Sequence, residues 1–191
     1  MGKEKYQKKV IELFDTSPVV NYSSIKRIIK NPEYTKQLVK NLVLKNKIRK
    51  LTKGFYTKYN ESSLIVFCFK PAYLGLQDAL SWHNLWEQET IPIVITTRKI
   101  RQGLREVNGM NVLIRRIDKR YLFGYDYFKQ GEFYFPYSDI EKTFIDMVYF
   151  KQKIDNILLN EFKKKIDIKK LKGYLRRYPR RLSDKVSKLM K

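Results

Sequence analysis

Asn31-Pro32-Glu33-Tyr34-Thr35-Lys36-Gln37-Leu38-Val39-Lys40-Asn41-Leu42, running on into Lys47-Ile48-Arg49-Lys50-Leu51-Thr52-Lys53-Gly54-Phe55-Tyr56, decides how the first part of this chain folds. Asn31 is an N-cap residue type, and proline suits the first helical position because its missing N–H would have no partner there. Tyr34, Leu38 and Leu42, with Val39 and Val43 beside them, repeat at helical spacing and predict a buried stripe. The helix is expected to stop at Asn46, a residue that tolerates the left-handed conformation. Residues 48–51 and 55–59 then read as short strands joined through Thr52-Lys53-Gly54. Upstream, Tyr6, Val10, Leu13 and Phe14 predict a helix over residues 4–14 that ends before Ser17-Pro18. Ser23 and Ser24 are capping types ahead of Ile25, Ile28 and Ile29, a short second helix. Three helices followed by a two-stranded ribbon is the order of a winged helix-turn-helix, predicted for residues 1–60.

The chain has 191 residues, 43% of them hydrophobic and 14% aromatic, which excludes a disordered polymer although the formal charge is +22. Residues 1–60 carry 15 Lys and Arg against 4 Asp and Glu, residues 61–150 carry 11 of each, and residues 151–191 again carry 15 against 4. Two lobes of +11 thus flank a neutral middle, a segregation that a polyanionic partner rewards through counterion release. No apolar run approaches the length of a membrane span, and the polar start lacks the apolar core of a signal peptide. One cysteine, Cys68, makes no internal disulfide, and with the single His83 it makes no zinc site. The expectation is a soluble cytoplasmic protein with no membrane partner, no metal and no cofactor.

The middle segment changes character. Residues 64–69 form a continuous apolar run suited to a buried strand, and Leu76, Ala79, Leu80 and His83 share one side of a helix. Residues 93–97, 112–116 and 122–128 read as strands, the last pairing with 132–135 across Lys129-Gln130-Gly131. Ser138 and Glu141 have capping-box spacing ahead of a helix that turns Ile140, Phe144, Ile145 and Val148 inward. Beyond Lys151 the pattern is helical, with a break at Pro179. The predicted fold class is α+β: a winged helix-turn-helix at 1–60, then a domain at 61–191. That second domain comprises an α+β part with a small, mostly antiparallel sheet (61–150) and a basic helical part (151–191).

In a helix-turn-helix the second helix of the pair enters the major groove with residues near its N-terminus against base edges. The candidates are Tyr34, Thr35, Lys36, Gln37 and Lys40. Glutamine can pair with adenine and lysine reaches guanine or phosphate, whereas Tyr34 also lies on the apolar stripe, where packing competes with DNA contact. Arg49, Lys50, Thr52 and Lys53 around Gly54 form a basic wing tip for phosphate or the minor groove. Arg176, Arg177, Arg180 and Arg181 head a dense C-terminal set of cations that either grips phosphates or simply decorates a solvated helical face.

Catalytic signatures are weak. His83 sits on an apolar helix face, as a hydrogen-bonded core histidine does. Asp139, Glu141 and Lys142 share residue types with a nuclease cluster, but Glu141 already has a capping role, and only folding could gather Asp78, Asp126 and Asp146. No Walker loop, dinucleotide fingerprint or nucleophile elbow occurs, and no RNP aromatic pattern for RNA. A binding protein is expected, with an RNA-binding protein or a nuclease as the alternatives.

The ordered combination of Lys47-Ile48-Arg49-Lys50-Leu51-Thr52-Lys53-Gly54-Phe55-Tyr56, Tyr73-Leu74-Gly75-Leu76-Gln77-Asp78-Ala79-Leu80-Ser81-Trp82-His83-Asn84-Leu85, Ile93-Val94-Ile95-Thr96-Thr97-Arg98 and Ser138-Asp139-Ile140-Glu141-Lys142-Thr143-Phe144-Ile145-Asp146 resembles the AbiEi antitoxin and transcriptional-regulator family of abortive-infection systems. The resemblance covers about residues 4–150, and Asn46 stands where the family pattern has a glycine entering the wing. It implies a winged-helix repressor that binds operator double-stranded DNA, which can carry inverted repeats, as a monomer or weak dimer. It further implies a type IV antitoxin that neutralises a nucleotidyltransferase toxin without a stable complex. A plain winged-helix regulator with no toxin is the nearest alternative.

Overall fold

The computed structural model describes every residue except Met1, Gly2, Glu89 and Asn108, together with the backbone alone of Lys3. The chain divides into two compact units, Met1–Cys68 with Glu106–Asn111, and Phe69–Arg105 with Val112–Lys191.

The first unit runs α1 (Lys3–Thr16), β1 (Val20–Asn21), α2 (Tyr22–Ile29), α3 (Pro32–Leu44), β2 (Arg49–Thr52) and β3 (Phe55–Thr57). Asn31 caps α3 by accepting from the Tyr34 N–H at 2.9 Å, with Pro32 at the first position, as its sequence predicts. Asn21, rather than Ser23 or Ser24, caps α2, accepting from the Ser23 N–H at 2.8 Å. An Asn placed just before the helix can reach the orphan N–H of the second helical residue, which leaves the serines inside the first turn. Lys30, left-handed at φ 60°, ends α2, so only Lys30 and Asn31 separate the two helices. Asn46 adopts φ 52°, a conformation asparagine tolerates in place of glycine. The three short strands form an antiparallel sheet in the order β1-β3-β2. Val10, Phe14, Ile25, Ile29, Leu38, Val39, Leu42 and Ile48 make the core of this unit.

Residues 64–69 are not a strand but part of a 3-10 helix, Ser62–Phe69, with Leu64, Ile65, Val66, Cys68 and Phe69 all buried. A continuous apolar run carries no period of its own, so burial on several sides is compatible with either geometry. There follow β4 (Ala72–Leu74), α4 (Gln77–Trp82), β5 (Ile93–Thr96), β6 (Gly103–Val107), β7 (Met110–Arg116), β8 (Tyr125–Gln130), β9 (Phe133–Ser138) and α5 (Ile140–Tyr149). Three C-terminal helices close the chain: α6 (Asn156–Lys165), α7 (Ile168–Leu175) and α8 (Arg180–Leu189).

The larger sheet has six strands in the order β6-β7-β5-β4-β9-β8 and is mixed, correcting the expectation of a mostly antiparallel one. β4 pairs antiparallel with β5 and β8 with β9, but β5 pairs parallel with β7 and β4 with β9. Strands distant in sequence supply those parallel pairings, which hairpin signals do not foretell.

The hydrophobic core of the second unit gathers around α5, whose residues from Glu141 to Val148 are all buried. The capping box is absent. Asp139 caps α5, accepting from the Lys142 N–H at 2.8 Å, while Ser138 lies buried against Thr143, the two hydroxyls 2.8 Å apart. Asp139 is one residue nearer the helix and an equally good cap, so it takes the position.

Candidate nucleic-acid interface

Two of the three polar residues on the α3 strip are lysines. Lys36 and Lys40 lie four residues apart, with Gln37 beside them, so all three share one helix face, and all are exposed. The opposite face is buried through Leu38, Val39 and Leu42. Thr35 is part of that inner face: it is fully buried, and its hydroxyl donates to the Asn31 carbonyl at 2.6 Å. Thr35 therefore drops out of the predicted reading set, because a hydroxyl turned back into its own helix cannot meet a base. Tyr34 is half-buried, packed on the unit's core with its ring 6.2 Å from that of Tyr6. Gln7, Tyr34, Gln37, Asn41 and Lys45 line a small polar cleft of about 240 Å³ beside the strip.

The β2–β3 hairpin presents Arg49, Lys50 and Lys53 to solvent, with Thr52 half-buried and Leu51 in the core. Gly54 at φ 81° makes the tip, and its carbonyl accepts from the Tyr22 N–H at 2.7 Å, tying the hairpin to the start of α2. A bulge between Lys50 and Thr52 sharpens the bend. Arg49 is steadied by Asn60, its Nη1 donating at 2.9 Å.

The C-terminal cations divide by use. Lys170 turns inward and pairs with Glu141 at 2.9 Å and Asp139 at 3.1 Å. Burial works against its ammonium, but the hydrogen bonds it donates to the Glu141 and Asp139 carboxylates outweigh it and raise its pKa. Lys165 donates to the carbonyls of His83 and Asn84 at 2.9 and 3.1 Å. Arg177 stacks over Phe123 at 4.4 Å, and Arg180 lies 3.7 Å from Asp184 on an exposed turn. Arg176, Arg177, Arg180 and Arg181 are all solvent-exposed.

Of the carboxylates considered for catalysis, Asp146, Glu141, Asp139 and Asp78 are held in hydrogen bonds or ion pairs with neighbouring elements. Asp146 and Lys142 form a fully buried ion pair, and the other Asp146 oxygen accepts from the Tyr73 hydroxyl at 2.7 Å. Burial lowers the Lys142 pKa and raises that of Asp146, each opposed by the partner's charge. Glu141 accepts from the Asp167 N–H at 2.9 Å, at the start of α7, and the Tyr174 hydroxyl donates to Asp139 at 2.7 Å. Asp78 accepts from the Ile93 N–H, and Asp126 is exposed on β8. Among the described residues no group of three or more His, Cys, Asp or Glu side chains is placed to hold a metal ion. His83 contacts the Ser138 carbonyl through Nε2 at 2.7 Å, and burial lowers its pKa, so the neutral ring donates that bond. No described helix is long and apolar enough to cross a membrane.

No protein-family model matches the chain, and no curated protein does. In fold it is similar to the RV2827C protein from Mycobacterium tuberculosis, known from its crystal structure, with a TM-score of 0.59 over 97% of this chain and 76% of that one. At 13% sequence identity this likeness is one of fold alone.

Proposed function

We propose that the chain is a sequence-specific, double-stranded DNA-binding repressor whose first unit is a winged helix-turn-helix. The observation that carries the reading is the exposed Lys36, Gln37 and Lys40 strip on α3, with basic Arg49, Lys50 and Lys53 on the hairpin of the same unit. The two-residue link between α2 and α3 and the hairpin after α3 suit the motif. In this reading α3 reads base edges and the hairpin holds phosphates or the minor groove. The protein acts in the cytoplasm as a monomer or weak dimer, on an operator that can carry inverted repeats, and it is a binding protein with no enzymatic step or cofactor. The buried pairing of the second unit's carboxylates favours this over a nuclease.

The sequence resemblance extends the proposal to the antitoxin of a type IV pair, opposing a nucleotidyltransferase toxin without a stable complex. Selection of duplexes from a random library by the full chain, followed by a reporter under the selected operator, tests the repressor. Enrichment of one site and repression from it are expected, and a featureless selection refutes the reading. Co-expression of an adjacent toxin with the full chain and with Lys36→Ala/Gln37→Ala/Lys40→Ala tests the antitoxin. Protection by both forms is expected, and protection by neither contradicts it.

A further inference from the structure

In the second unit a cleft of about 510 Å³ opens between the Asp118–Tyr121 turn, the end of α5 and the start of α8. Its wall includes Tyr149, half-buried, and Tyr121, which is sandwiched away by its stack on Tyr178 at 4.2 Å. Arg120 is bonded through Nε and Nη2 to the two oxygens of Asp118 at 3.0 and 3.2 Å, so these two lining residues cancel. What remains is Lys151, Arg181 and Lys185, all exposed and, among the described residues, with no carboxylate partner within ion-pair distance. Pro179 precedes α8 as an N-cap residue that supplies no side-chain cap, so the positive end of a ten-residue helix faces the same wall. Three cations without a carboxylate partner line one concave site beside a tyrosine, which gives the cleft a positive potential that attracts an anion. The volume lies within the range of small-ligand sites, large enough for one nucleotide unit.

We infer that this cleft binds a nucleotide unit, its phosphate held by Lys151, Arg181 and Lys185 and its base resting on Tyr149. The chemistry is the same for a free nucleoside phosphate and for a nucleotide at the end of a strand. Tyr149 is half-buried and lines the cleft while its ring packs edge-on against Tyr121 and Phe150 at 5.7 and 4.9 Å. Planar bases stack on such tyrosines without sequence preference, and lysines and arginines hold phosphate oxygens through charge-assisted hydrogen bonds. The site is separate from α3 and stands or falls independently of the operator reading.

The test is titration calorimetry on the full chain with three probes: inorganic pyrophosphate, ATP and a pentathymidine strand. The variants are Arg181→Gln/Lys185→Gln, Tyr149→Leu, and a control, Lys163→Gln/Lys172→Gln, which removes the same charge from exposed positions outside the cleft. The cleft double variant is expected to weaken ATP or pentathymidine about tenfold or more, and the control less than about twofold. Tyr149→Leu is expected to weaken the base-bearing probes while leaving pyrophosphate unchanged. Loss with ATP alone assigns a free nucleotide, and loss with pentathymidine assigns a strand end. Equal losses in the cleft and control variants, equal losses of all probes in Tyr149→Leu, or no binding by any probe overturn the inference.

Discussion

Replacing Asp146 by alanine isolates the energetics on which the second unit depends. Asp146 is fully buried and accepts from both Lys142 Nζ and the Tyr73 hydroxyl, and Lys142 and Tyr73 are themselves wholly buried. Its removal strands an ammonium and a hydroxyl away from water. Breaking a buried pair from one side costs about 3–5 kcal/mol, because the survivor stays uncompensated. In a unit of this size that lowers the midpoint of thermal unfolding by roughly 12–20 °C, at about 4 °C per kcal/mol. Replacing all three groups together, as Tyr73→Phe/Lys142→Met/Asp146→Leu, keeps side chains of similar shape, adds some bulk only at position 146 and leaves none of the three polar groups orphaned, so most of the loss is recovered, to within about 2 kcal/mol of the native chain. Urea unfolding followed by tryptophan fluorescence is the assay. Both tryptophans, Trp82 and Trp86, belong to the second unit, so the signal reports that unit alone. A loss below about 1 kcal/mol for Asp146→Ala, or a triple variant worse than the single, refutes the account of this core.

Acid sensitivity and one glycine offer further checks. Burial lowers the His83 pKa, so the unfolded chain binds the proton more readily; stability is whole above the ordinary value of 6.5 and declines as pH falls through it, by at most about 1.4 kcal/mol per pH unit, a slope that His83→Gln should abolish in urea titrations across that range. Gly124 has φ 68°, and a Cβ there would lie 2.9 Å from both Lys142 Cβ and the Tyr174 ring, so Gly124→Ala should destabilise by about 1–3 kcal/mol in the same assay, whereas Gly131→Ala, with open space around it, should cost less.

Local signals made the first unit readable. The Asn31-Pro32 start, the α3 stripe and the turn at Gly54 each depend on residues within a few positions of one another, and all three appear where the sequence places them. The second unit depends on partners far along the chain. Glu141 looks like a capping residue from its neighbours, yet its carboxylate belongs to Asp167 and Lys170, on the far side of α6. Lys142 and Asp146 have the spacing of a solvent-exposed helical ion pair, and only packing of other elements on every side of α5 turns them into buried groups. β6 carries no apolar alternation in its sequence, because Leu104 sits on the exposed face and Arg105 on the inner one. Within the candidate interface the sequence located the strip on α3 but included Thr35, whose inward hydroxyl only the helix geometry reveals.

The central claim is that α3 reads DNA, and fluorescence anisotropy of the full chain on its selected operator and on a random duplex tests it directly. Affinity for both should fall with salt at a slope near −5 in log–log form if about six phosphates are neutralised. Lys36→Ala/Gln37→Ala/Lys40→Ala should erase most of the preference for the operator, by about 1–3 kcal/mol per base-reading contact, while Lys53→Ala weakens both duplexes nearly alike. A triple variant that keeps its full preference for the operator, or a salt slope near zero, contradicts the claim.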